Sequence, residues 1–236
     1  MPCYRSNIHK SIKDFYAKNG YASTEIFCTK LLESNVHKND KDFRTEIHGE
    51  VCESFLECAL DEYIKKHKLG DTWFYTKGMV VKDLDGNPNH LTEIDLTLFT
   101  PSRVILFECK SYAGNNTLIN ECTIRRESGG TYDVYKQQKN HLKSLDSNIR
   151  SCIRVKGRYV ITLFDFSLGS TTDTRSSEHR RLVPLVNSKN IDLFLDKYRH
   201  LGVSWDIPRL KKLTQIIMSN NDVWRKKHLA YVKSIR

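Results

Sequence analysis

Within Val104-Ile-Leu-Phe-Glu-Cys-Lys110 a carboxylate and an ammonium stand two residues apart, as Glu108 and Lys110. Alternation along an extended chain puts both on one face, with Phe107 and Cys109 on the other. A second extended segment, Leu91 to Phe99, precedes it, and Thr100-Pro-Ser-Arg103 reads as the turn between the two. With that turn centred on Pro101 and Ser102, Asp95 falls opposite Glu108 in an antiparallel pair. Opposed Cβ atoms lie about 5 Å apart, so both carboxylates reach one small cation. Side by side they repel each other unless a positive charge sits between them, and a hard cation, Mg²⁺ or Mn²⁺, is the natural occupant. The main-chain carbonyl of Cys109 would add a third oxygen and leave positions open for water and a phosphate oxygen. Lys110 would then orient or help activate the attacking water and offset charge on phosphorus. These are the parts of a phosphodiester hydrolase.

Asp, Glu and Lys are common residues, and the spacing alone equally describes a solvated strand face. The neighbours argue otherwise: Val104, Ile105, Leu106, Phe107 and Cys109 make this strand apolar on both faces, and an acid inside a buried strand needs a reason to be there. Other chemistries lack their motifs. There is no G-x-x-x-x-G-K-[ST] loop, no G-x-G-x-x-G after a strand and no G-x-S-x-G elbow, so no nucleotide cofactor is expected. The seven cysteines include no C-x-x-C pair, which favours reduced, buried thiols over disulfides or a zinc site. His48 and Cys52, four apart, are two ligands at most. No apolar run is long enough to span a membrane, and the first residues lack the apolar segment of a signal peptide, so the expected location is the cytoplasm, without membrane contact.

A net charge of +10 over 236 residues points to a polyanionic partner. The excess is concentrated: residues 206–236 hold eight Lys or Arg against two acids. Arg225, Lys226, Lys227, Lys211 and Lys212 are the candidate phosphate contacts, with a solvated helical face as the plain alternative.

The elements that must position these groups follow from periodicity. Residues before about 43 read as one or two short helices, followed by a polar break from Ser34 to Asp42. A long amphipathic helix then runs from about Arg44 to Lys68, with Ile47, Val51, Phe55, Ala59 and Tyr63 or Ile64 on one face and Gly70 as its C-cap. Trp73 to Asp83 reads as a strand, Asp85-Gly86-Asn-Pro88 as a turn, and the two strands of the acidic pair complete an antiparallel meander. A weaker strand from Leu118 to Arg126, a helix from Tyr135 to Ile153, strands at Tyr159 to Phe166 and Leu182 to Val186, and helices from Ile191 onward follow. Gly169 to Ser177 reads as a polar loop. The expected fold is α/β, a restriction-endonuclease-like mixed sheet flanked by helices, with a helical N-terminal extension (1–43), a core (44–187) and a basic helical C-terminal extension (188–236).

Gly49-Glu50-Val51 on a helix, Glu93-Ile94-Asp95 in a strand, Phe107-Glu108-Cys109-Lys110-Ser111 with Gly114 beyond, and Gln137 and His141 on a later helix resemble the nuclease-related domain (NERD) family of the PD-(D/E)XK superfamily. The resemblance spans about Arg44 to Leu145. It implies that Asp95 and Glu108 are direct metal ligands and that Lys110 is the catalytic lysine. It further implies that Glu50 is a helix acid approaching the metal and that Gln137 lies beside the site. The Asn-Pro common before that glutamine is Asp133-Val134 here, and Gln138 competes with Gln137 for the role. By their residues alone, Glu50, Gln137 and Gln138 would pass as exposed helix positions, and His141 as a surface or capping histidine.

The reading is a Mg²⁺- or Mn²⁺-dependent nuclease acting on DNA. Its rival is an inactive nuclease-fold module that binds nucleic acid or a protein, against which the intact Asp95, Glu108 and Lys110 weigh. RNA is not distinguished from DNA, nor endonuclease from exonuclease action, and a homodimer is compatible with the sequence.

Overall fold

The computed structural model describes residues 2–34, 41–82, 91–150, 158–202 and 205–234. The expected turn at Asp85 to Pro88, the end of the third helix at Ile153 and most of the break from Ser34 to Asp42 lie outside these residues. In chain order the strands are β1 (Phe74–Lys82), β2 (Leu91–Phe99), β3 (Val104–Lys110), β4 (Asn116–Ile119), β5 (Thr123–Arg126), β6 (Thr131–Asp133), β7 (Tyr159–Asp165), β8 (Thr171–Asp173) and β9 (Leu185–Val186). The helices are α1 (Pro2–Glu33), α2 (Lys41–Lys66), α3 (Val134–Ile149), α4 (Ser177–Leu182), α5 (Ile191–Arg199), α6 (Ile207–Ser219) and α7 (Asn221–Ser234). None is long and apolar enough to cross a membrane.

The main sheet has the order β1-β2-β3-β7-β9. Its first three strands form the antiparallel meander, while β7 joins β3 and β9 joins β7 in parallel. The β2–β3 turn is fixed by its own chemistry. Thr100 N–H donates to the Arg103 carbonyl at 2.9 Å, and the Thr100 hydroxyl accepts from Arg103 N–H at 2.9 Å. That closure pairs Phe99 with Val104 and Leu96 with Phe107.

Burial on both faces explains the composition of β3. Ile105, Phe107 and Cys109 enter one core with Phe55 and Val51 of α2 and Phe194 of α5, whereas Val104 and Leu106 enter another with Leu145 and Ile149 of α3 and Leu210 of α6. Each such fully buried side chain contributes about 1.5–3 kcal/mol of burial free energy. Ile12, Cys28 and Leu32 of α1 join the first core, so the N-terminal helices close the sheet's α2 side. Gly20, at φ 76°, interrupts α1 and divides it in two. The described cysteines Cys28, Cys52, Cys58, Cys109 and Cys122 are buried free thiols.

Three expectations are corrected. Leu118 to Arg126 is not one strand but the hairpin β4–β5, and it belongs to a second sheet, of order β6-β5-β4-β8. The polar loop from Gly169 to Ser177 contains β8, which pairs in parallel with β4. Its Thr-Thr-Asp sequence carries no apolar alternation, because so short an edge strand is held by backbone bonds rather than burial. The long helix α2 ends at Lys66 and is closed by Lys68 at φ 55°, not by Gly70: Leu69 N–H reaches the Ile64 carbonyl at 2.9 Å and Lys68 N–H that of Lys65 at 3.2 Å. That is a Schellman closure with a non-glycine residue in the left-handed position.

Candidate active site

The register carries Asp95 to the position opposite Glu108, one step beyond the Leu96–Phe107 pair. There the ladder gives way, and Asp95 Oδ2 accepts the Cys109 backbone N–H at 2.8 Å. Glu108 lies on the same strand face as Val104 and Leu106 and is fully buried beneath α3. Its Oε1 accepts from the Lys110 ammonium at 2.5 Å and from the Tyr132 hydroxyl at 3.2 Å. Its Oε2 is buried and accepts no hydrogen bond among the described residues; the ring nitrogen Nδ1 of His141 stands 3.7 Å away.

An ionised carboxylate oxygen without a donor in a dry site is costly, so the arrangement has spare capacity for a positive charge. Asp95 reports the same strain. Burial first, and then the Glu108 charge, push its carboxyl up to about 7, against the opposing pull of Lys110 and the Cys109 N–H. Burial disfavours the Lys110 ammonium, but Glu108, Asp95 and Tyr132 outweigh it and hold the group well above the usual lysine range. Lys110 is therefore a fixed cation at neutral pH, suited to positioning and charge stabilisation and not to removing a proton from water.

The helix α3 supplies the roof. Asp133 caps its N-terminus by accepting from Lys136 N–H at 2.9 Å, a role that an asparagine at this position could equally fill. The glutamine ambiguity divides in a definite way. Gln137 Nε2 stands 3.5 Å from His141 Nε2 and so approaches the site through that ring. Gln138 is wholly buried, its Nε2 donating to the Thr162 carbonyl at 3.4 Å, while its Oε1 has no partner among the described residues. His141, read as a surface or capping residue, is only 2% exposed and lies against Glu108. The helical pattern held this signal: Gln138, His141 and Leu145 recur at spacings of three and four on one face.

Glu50 has its direct partners in Lys77 and Ser54, not in Asp95 or Glu108. Its Oε1 accepts from the Lys77 ammonium, in very close contact, and from the Ser54 hydroxyl at 2.8 Å, in a cluster that also holds Glu57 and His9. Glu53, one turn further along α2, is a helix acid that feels the Asp95 charge. Burial is the main reason its carboxyl is held well above the ordinary range, and the Asp95 charge is the next. Glu50, Glu53 and Glu57 share one face of α2 by spacing, so the sequence could nominate the face but not the member.

The basic C-terminal residues separate into two groups. Arg225 is bound to Glu93, two residues before Asp95 on β2, which ties α7 to the sheet beside the site. Gly78, at φ 57°, leaves room for that guanidinium, into which any side chain at this position would run. Asn221 completes the clamp by accepting from Val80 N–H at 2.7 Å and donating to the Gly78 carbonyl at 2.9 Å. Lys211 caps the carbonyl of Asp71 at 3.2 Å and stands over the Phe74 ring. Arg225 and Lys211 thus have partners within the fold, whereas Lys212, Lys226 and Lys227 are exposed on α6 and α7 with no such partner among the described residues.

Among the described residues no group of three or more His, Cys, Asp or Glu side chains is gathered as a metal cage. Two carboxylates with an unsatisfied oxygen nevertheless suit Mg²⁺, which keeps several waters and is commonly bound through one or two carboxylates plus substrate phosphate. Cys109 adjoins the pair through its backbone; its thiol lies in the opposite core with Cys52.

No curated protein and no solved structure matches this chain. The family model of the nuclease-related domain matches residues 53–164, a span that includes Asp95, Glu108, Lys110, Tyr132, Gln137 and His141. The segment that builds this site, residues 53–164, is therefore similar to the nuclease-related domain, NERD.

Proposed function

We propose that this chain hydrolyses phosphodiester bonds in DNA with a divalent cation, Mg²⁺ or Mn²⁺, held by Asp95 and Glu108. The observation that carries the reading is the buried Oε2 of Glu108, which accepts no hydrogen bond among the described residues and has the His141 ring 3.7 Å away, beside an Asp95 carboxyl pushed up to about 7 and a fixed ammonium. A cation bound there would polarise a phosphate oxygen and lower the pKa of a coordinated water. Asp95 Oδ1 and Glu108 Oε2 are the oxygens that would hold it, with the Cys109 carbonyl as the neighbouring main-chain candidate. Lys110 presents a positive charge to the phosphate oxygens and orients the water that attacks phosphorus. His141 and Gln137 line the α3 side, where they accept or donate hydrogen bonds without carrying a permanent negative charge. Glu53 adds a third acid on the α2 side.

The test is incubation with circular and linear DNA, single- and double-stranded, in Mg²⁺, Mn²⁺ or EDTA, with RNA in parallel. Cleavage in either metal and none in EDTA is expected. Tight DNA binding with no cleavage of any substrate would favour the rival reading, a non-cleaving binding module.

Lys212, Lys226 and Lys227 are the exposed lysines of α6 and α7 nominated to meet phosphate, and Arg225 fixes α7 next to β2. Changing these three lysines to alanine should weaken DNA binding for all sequences. It should also flatten the slope of log K against log salt by about 0.9 for each duplex phosphate that the side chains no longer neutralise. An unaltered slope would make this helical face solvated surface only. Arg225→Ala should instead act on stability, lowering the melting temperature, because it leaves Glu93 without its partner.

A further inference from the structure

The second sheet contributes one side chain to the site. Tyr132, on β6, is held by the Ile124–Tyr132 pairing of β5 with β6, and α3 begins two residues later. Its hydroxyl donates to Glu108 Oε1 at 3.2 Å, and the Lys110 ammonium stands 4.6 Å from the centre of its ring. The same residue thus holds the carboxylate and the cation that the β3 strand places two positions apart. We propose that Tyr132 is the positioning residue of this site: its ring seats Lys110 by a cation–π contact and its hydroxyl fixes the Glu108 carboxylate so that Oε2 stays turned toward His141.

The physical argument rests on how free each group would otherwise be. Lys110 ends a strand, its side chain remains partly exposed, and four rotatable bonds separate its charge from the backbone. A hydrogen bond to Glu108 constrains the ammonium from one side only, and the aromatic face closes the other. For Glu108 the Lys110 and Tyr132 bonds both fall on Oε1, which leaves one oxygen saturated and the other open. Loss of the hydroxyl would free the carboxylate to rotate and share Lys110 between its two oxygens. The β5–β6 hairpin therefore acts as a support for the site, and its residues need not touch substrate.

The inference rests on the nuclease reading, and the experiment separates the two. Tyr132→Phe keeps the ring and removes the hydroxyl; Tyr132→Leu removes both. In NMR spectra of the full chain in EDTA, the Lys110 side-chain methylene protons nearest the ammonium, assigned by their loss in Lys110→Ala, should be shifted upfield by the ring. The shift should persist in Tyr132→Phe and vanish in Tyr132→Leu. Single-turnover cleavage in Mn²⁺ should fall on the order of 10-fold in Tyr132→Phe, the effect of one hydrogen bond to a charged group, and on the order of 10²-fold in Tyr132→Leu. KM should change far less in either, since neither variant removes a group that touches substrate. An unshifted Lys110 in the wild type, or a Tyr132→Leu variant that folds and cleaves at the wild-type rate, would overturn the proposal. A wild type that cleaves nothing fails the nuclease reading and the catalytic consequence together. The upfield shift would then still decide whether the ring seats Lys110, so the two failures are told apart.

Discussion

Lys110→Ala is expected to lower the single-turnover rate of DNA cleavage by about 10²-fold or more while changing DNA affinity far less. The ammonium is bonded to Glu108 and is not itself a cation ligand, so its removal keeps both carboxylates, with the Tyr132 hydroxyl still bonded to Glu108, and takes away the group that orients water and meets charge developing on phosphorus. A mutation that removes an interaction made in the transition state lowers kcat and kcat/KM together and leaves ground-state binding nearly untouched. Affinity measured in Ca²⁺ and cleavage measured in Mg²⁺ or Mn²⁺ on one preparation give both numbers. Equal cleavage by wild type and variant would leave a nuclease whose reacting centre lies elsewhere on the chain.

The second large effect is on stability, and its sign is opposite to that of most buried substitutions. In the folded chain Asp95 is pushed up to about 7, from an ordinary carboxyl value of 3.8, by burial and by Glu108. A folded-state value above the unfolded one means that the protonated form is favoured by folding. The stabilisation is fully present below about pH 4, declines as pH rises from about 4 to about 7, and is gone above that window, where folding must instead bear the ionised pair. The cost at pH 8 is on the order of a few kcal/mol. Asp95→Asn should therefore melt higher than the wild type in EDTA at pH 8, by several degrees in a chain of this size, and the advantage should shrink toward pH 5. Glu108→Gln should act in the same direction but less, because it also unbalances Lys110. Adding Mg²⁺ or Mn²⁺ at pH 8 should raise the wild-type melting temperature through mass action and move either variant much less. Identical shifts in all three proteins would remove the claim that this pair holds a cation. An Asp95→Asn variant that melts lower than wild type at pH 8 in EDTA would show instead that the acid is paired, and not strained, in the folded state.

The contrast between Glu50 and Glu53 shows where reading the residues stops short. Both acids lie on α2, and motif resemblance selects Glu50. The structure pairs Glu50 with Lys77 and Ser54, and Glu53 with Lys77 at 3.8 Å, while the Asp95 charge helps hold the Glu53 carboxyl up. Three residues of helix correspond to about 300° of rotation and 4.5 Å of rise, so which acid meets the strand depends on the angle and height at which α2 crosses the sheet. Those are set by Phe55, Leu56 and Tyr63 packing on residues from β3, β7 and α5, far away in the chain.

What the sequence determined by itself was local. Alternation puts Glu108 and Lys110 on one strand face whatever surrounds them, and Thr100 and Arg103 close a turn whose length alone sets Asp95 opposite Glu108. The apolar flanks of β3 foretold burial on both faces for the same reason. Tertiary structure decided everything that depends on a partner supplied from elsewhere. It buried His141 against Glu108, sent Gln138 to the Thr162 carbonyl, gave Arg225 to Glu93, and built a second sheet from strands of three and four residues that lack apolar alternation. It also set Tyr132 across Glu108 and Lys110. A covalent neighbour constrains direction at every residue, whereas a contact between distant segments exists only once burial of the cores has fixed their separation; the carboxylate pair belongs to the first kind of information and the enclosure around it to the second.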